Sequence, residues 1–70
     1  MLKIEYTHHS LQRLNERGVS KKRVEAAIRE GDKYDANGDL RKAVHRNETS
    51  TVVVIYNIKS AEEILIITVY

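Results

Sequence analysis

The chain has 70 residues, no cysteine and no proline, and 12 Lys/Arg against 10 Asp/Glu give it a formal net charge of +2. Such a length makes one domain that buries only about 60% of the surface its unfolded form exposes, and without cysteine there is no disulfide staple, thiolate metal centre or cysteine nucleophile. A reducing, cytoplasmic setting is therefore expected, and the apolar runs at residues 52–56 and 64–67 fall far short of a signal-peptide core or a bilayer span.

Leu2, Ile4 and Tyr6 alternate with Lys3 and Glu5, the period of a half-buried strand. Thr7 ends that pattern and has the side chain of a helix N-cap, so a first helix is expected over residues 8–17. Gly18 closes it, because glycine takes the left-handed conformation past a helix end without a Cβ clash. Ser20 starts a second helix whose apolar face is Val24, Ala27 and Ile28, and Gly31 stops it. About three residues separate the helices, so they fold back on one another or cross sharply.

Beyond Gly31 the period changes. Asn37-Gly38 is a two-residue hairpin signal, since both central positions of a type I′ turn need positive φ. It joins a short strand near residues 33–36 to a second over 39–46. Residues 47–50 read as the next turn, 51–57 as a third strand, 58–61 as a loop and 63–69 as the last strand. Helices first and strands last argue for an α+β class: two N-terminal helices packed on one face of a four-stranded antiparallel β-meander, with residues 2–6 available as an extra N-terminal strand. The last two strands are apolar on both faces, which puts them in the sheet centre. Two small helices cover one face only, leaving the other to a substrate cleft, a protein partner or a second copy in a homodimer.

The charge is unevenly spread: residues 1–31 carry seven Lys/Arg against four Glu, and the remainder five against six. A basic helical half permits a phosphate-facing surface, and it is also what a solvated helix face looks like. Within it, His9, Arg13 and Arg17 recur at i, i+4 and i+8, which keeps them inside a sector of about 80° on the first helix. An imidazole above two guanidiniums suits gripping phosphate with arginine while histidine moves a proton. The bland alternative is a solvated stripe with Glu16 as an ion-pair partner.

His8 and His9 point about 100° apart and do not clamp one metal, so neither a metal nor another cofactor is expected. Arg41, Lys42, His45 and Arg46 make a basic strand, with Arg41 and His45 on one face and Lys42 and Arg46 on the other. It reads either as an RNA contact or as an edge guarded against aggregation by charge. Tyr34, Tyr56 and Tyr70 offer rings for stacking on bases, or are core and rim residues.

Taken together, His9-x3-Arg13-x3-Arg17-Gly18-Val19-Ser20, then Val24 and Ile28, and finally Ile66-Ile67-Thr68-Val69-Tyr70 resemble the small bacterial family called domain of unknown function 4258. The resemblance implies kinship with the fold of barnase, EndoU, colicin-type tRNases and the RelE toxins, whose members frequently cut RNA without a metal and pair with an antitoxin or immunity protein. On that basis His9 is a base or acid, Arg13 and Arg17 hold phosphate, and Thr68 orients substrate or a side chain. Arg41, Lys42, His45 and Tyr70 are RNA contacts by chemistry alone. The competing expectation is a noncatalytic module that binds nucleic acid or protein on the same surfaces, since fold does not choose function.

Overall fold

The computed structural model describes residues 2–70. In chain order they form β1 (Lys3–Tyr6), α1 (His8–Arg17), α2 (Lys21–Glu30), β2 (Asp32–Asp35), β3 (Leu40–Arg46), β4 (Thr51–Ser60) and β5 (Glu63–Val69). Both helices start on hydroxyl caps. Extended Thr7 accepts the Ser10 N–H at its Oγ1 (3.0 Å), and Ser20 Oγ accepts that of Arg23 (3.1 Å). At the end of α1, Gly18 is left-handed (φ 64°) and donates to Asn15 O, while Val19 donates to Leu14 O. This paired arrangement satisfies two carbonyls the helix leaves open.

Gly31 ends α2 for a different reason. Its backbone is extended (φ −72°, ψ 165°), a conformation any residue adopts. What demands glycine is space, because a Cβ there would lie 2.6 Å from Ala27 O and 2.7 Å from Val44 O. The backbones of α2 and β3 meet at this point with no room for a side chain.

The sheet order is β1-β5-β4-β3-β2. Strands β2 to β5 form the expected antiparallel meander, and the N-terminal strand adds to it as a fifth, lying parallel to β5 with Ile4 beside Ile64 and Tyr6 beside Ile66. The sheet is therefore mixed. Two local expectations are corrected. The Asn37-Gly38 turn is shifted by one residue: Leu40 N–H closes it on Asn37 O at 3.0 Å, and Gly38 alone has positive φ (61°). Gly38 thus takes the first central position, where a type II′ turn calls for glycine. Residues 58–60 are not a loop, because Ile58 pairs with Ile64 and Ser60 with Glu63. Their strand partner continues, so β4 continues with it.

One face of the sheet carries the core. Ala43, Val52, Val54, Tyr56, Ile64, Ile66 and Val69 pack against Leu14, Val24, Ala27 and Ile28 from the helices. Burying each of the Val, Leu and Ile side chains among them stabilises by about 1.5–3 kcal/mol. Ser10 is fully buried beside them, and its hydroxyl donates to Thr7 O at 2.8 Å, so the polar group is not orphaned. On the opposite face Val53, Ile55 and Leu65 are only half-buried. Among the described residues no helix is long and apolar enough to cross a membrane.

Candidate functional site

The position of α1 follows from where β1 stops. β1 pairs with β5 only from Glu63 to Ile66. Beyond that point the edge of β5 would present unpaired backbone groups, and α1 takes over. Thr7 N–H donates to Ile66 O (3.1 Å) and Thr7 Oγ1 to Ile67 O (3.1 Å). One turn on, His9 Nε2 lies 3.2 Å from Thr68 Oγ1, and Arg13 Nε donates to Val69 O at 3.4 Å. Four successive residues of β5 are thus met by three side chains and one backbone amide from the N-cap and first half of α1. The stripe expected on α1 faces a strand edge along one side.

Arg13 also reaches Glu16 Oε1 at 3.3 Å, a half-exposed i,i+3 pair that contributes little stability. Arg17, the last residue of the stripe, is exposed and has neither a hydrogen bond nor an ion pair among the described residues. It borders a groove of about 150 Å³ with Gly18, Val19, Arg23, Ser50, Thr51, Val52 and Tyr70. Tyr70 reaches this place because it prolongs β5, exchanging both backbone hydrogen bonds with Val53. His9, Arg13, Arg17, Thr68 and Tyr70 therefore lie along one α1–β5 seam. Residues 6–70, which contain all five, match the family described as a domain of unknown function (DUF4258).

The chain belongs to the DUF4258 family. No match was found among curated proteins or among solved structures. The family assignment covers every element of the DUF4258 domain except most of β1.

The basic strand of this DUF4258 domain divides among separate places. His45 lies on β3, two strands from β5, which is about 10 Å at ordinary strand spacing. It is held by Arg23, whose Nε donates to His45 Nδ1 at 3.0 Å. Accepting there requires the Nδ1 lone pair, so the ring proton sits on Nε2. Arg41 is four residues earlier, about 13 Å along the strand, and stands 3.9 Å from Asp35. Lys42 is on the opposite face, with its ammonium 5.5 Å from the Tyr34 ring. Neither Arg41 nor Lys42 joins the seam.

Arg23 is the residue beside the Arg17 groove that sequence reasoning missed. Its guanidinium makes four hydrogen bonds: to His45 Nδ1, to His45 O (3.3 Å), to Ser50 Oγ (2.9 Å) and to Ser50 O (3.0 Å). These tie the first turn of α2 to the β3–β4 turn, which Asn47 Oδ1 shapes by accepting from the Thr49 and Ser50 amides. In the run Lys21-Lys22-Arg23 nothing distinguishes it from solvated charge. Its partners arrive only through the fold.

One titratable group of the DUF4258 domain is perturbed by its place in the core. Tyr6 packs against the core cluster and its hydroxyl has no hydrogen-bond partner among the described residues. Burial pushes that hydroxyl above the usual tyrosine value, and the charge of Glu25 adds to the effect. Among the described residues no group of three or more His, Cys, Asp or Glu side chains gathers to hold a metal ion.

Proposed function

We propose that this domain engages RNA along the α1–β5 seam and cleaves it without a metal, by attack of a ribose 2′-hydroxyl on the adjoining phosphorus. His9 takes the 2′-hydroxyl proton, the 2′-oxygen bonds to phosphorus, and the bond from phosphorus to the 5′-oxygen breaks. The leaving oxygen takes its proton from solvent, and the products are a 2′,3′-cyclic phosphate and a free 5′-hydroxyl. Arg13 and Arg17 offer the phosphate planar guanidinium forks that an ammonium does not reproduce. The observation that carries the reading is the contact of His9 Nε2 with Thr68 Oγ1, which fixes an exposed imidazole beside the two arginines. Base catalysis needs such a held group within reach of the proton it removes.

Helices on one face of an antiparallel meander suit kinship with the RelE, barnase, EndoU and colicin-type ribonucleases. A toxin role, with an antitoxin or immunity protein as partner, belongs to the same proposal. The competing reading is a noncatalytic binding module. It is favoured by one observation: the hydrogen-bond partner of His9 is a hydroxyl rather than a second acid or base, and Arg13 spends nitrogens on Val69 O and Glu16. Incubating the purified protein with RNA and with DNA in EDTA decides between them. RNA cut and DNA intact supports the nuclease; RNA retained and uncut supports the binding module.

A further inference from the structure

The groove at the end of the seam holds a cation, Arg23, that the proposed cleavage does not use. Its polar side chains are Arg17, Arg23, Ser50, Thr51 and Tyr70, and no aspartate or glutamate lines it. The four acceptors of the Arg23 guanidinium are an imidazole nitrogen, a hydroxyl and two backbone carbonyls, all neutral. They hold the group rigidly and leave its charge uncompensated. Arginine does not shed that charge by deprotonating. Arg17 brings a second guanidinium to the same groove with no partner among the described residues. Two cations lining one groove without a carboxylate is an arrangement that an anion stabilises.

The remaining donors fit an oxyanion. Ser50 Oγ accepts from Arg23, so its own proton is free to point into the groove. Thr51 and Tyr70 add exposed hydroxyls at the rim. The groove, about 150 Å³, has room for one tetrahedral oxyanion. We propose that this groove, formed where α1, α2 and the β3–β4 turn meet, is a phosphate-binding site, with Arg23 as an anchored cation that keeps one N–H to donate and exposed Arg17 as the guanidinium that supplies the fork. The site stands whether or not the seam cuts RNA. Its ligand is either a phosphate of a ribonucleotide chain or a free phosphate.

The test is titration of the full chain with inorganic phosphate, read on backbone amide resonances and compared with chloride at equal ionic strength. Saturable shifts confined to Gly18, Val19, Ser50 and Thr51 are expected with phosphate and not with chloride. Arg17→Gln, at an exposed residue without partners, keeps the fold and weakens binding by about tenfold, the loss expected for one charge-assisted contact. Arg23→Lys keeps a charge but cannot make the four hydrogen bonds to His45 and Ser50 that fix it at the groove, and it weakens binding as well. A short RNA that binds more tightly than inorganic phosphate assigns the site to the nucleic-acid backbone, and equal affinity assigns it to free phosphate. Absence of saturable shifts in the groove, or wild-type affinity in a folded Arg17→Gln, overturns the site. Phosphate binding by a protein that leaves RNA intact upholds the groove while removing the nuclease reading.

Discussion

His9 Nε2 and Thr68 Oγ1 lie 3.2 Å apart although 59 positions separate them in the chain. The pair joins the first turn of the first helix to the last strand, and it exists because β1 is too short to cover β5. Where β1 ends, α1 supplies the edge contacts that a longer strand would have made.

Thr68→Val keeps the size and branching of the side chain and removes the hydroxyl that holds His9. The expected result is an unchanged fold and an RNA cleavage rate lowered about fivefold, the equivalent of one ordinary hydrogen bond of about 1 kcal/mol. Single-turnover kinetics measures the rate, and the ring nitrogen resonances of His9 report the lost partner. An unchanged rate and unchanged ring signals would separate the hydroxyl from the imidazole.

The two helix-ending glycines respond differently to alanine. At Gly18 nothing stands within 4 Å of an added Cβ, and only the left-handed backbone resists it, so Gly18→Ala costs about 1–2 kcal/mol. At Gly31 the backbone is unstrained, but the Cβ meets two carbonyl oxygens that cannot rotate away. Gly31→Ala therefore costs about 3 kcal/mol, at the upper end of overpacking penalties. Urea unfolding of both variants gives the order, and a Gly18 variant less stable than the Gly31 variant would reverse the assignment.

Tyr6 couples the core to alkaline pH. Its hydroxyl titrates above the usual value of 10.0 in the folded protein and at that value in the unfolded chain. The unfolded state therefore loses its proton first, and the stabilisation, complete below pH 10, falls as pH rises toward the folded value. Tyr6→Phe removes this contribution together with a buried hydroxyl that has no partner. The variant is expected to match or exceed wild-type stability at pH 7, by up to about 1 kcal/mol, and to lose less of it above pH 10. Thermal unfolding across that range compares the two proteins directly.

The helices were legible because their signals are local: Thr7, Ser20 and Gly18 each act on residues within one turn. The meander was legible from apolar alternation and from the turns. The parallel pairing of β1 was not, since its partner lies at the other end of the chain and no hairpin sets its direction. The shift of the Asn37–Leu40 turn by one residue escaped for a smaller reason, as Asn37-Gly38 suits more than one turn type and the strand register decides. In the site, helical spacing alone brought His9, Arg13 and Arg17 to one side. Thr68 came from a family resemblance, and Arg23 from neither, because its four acceptors lie at His45 and Ser50 on another part of the chain.

Catalysis at the seam is tested most directly by the rate of RNA cleavage in EDTA by wild type beside His9→Ala, with circular dichroism verifying that both are folded. The expected result is fragments ending in 2′,3′-cyclic phosphate from the wild type and a rate lower by about 10²- to 10⁴-fold in the variant, the usual loss on removing a general base. RNA left intact by the folded wild type, or cut at the wild-type rate by a folded His9→Ala, would contradict it.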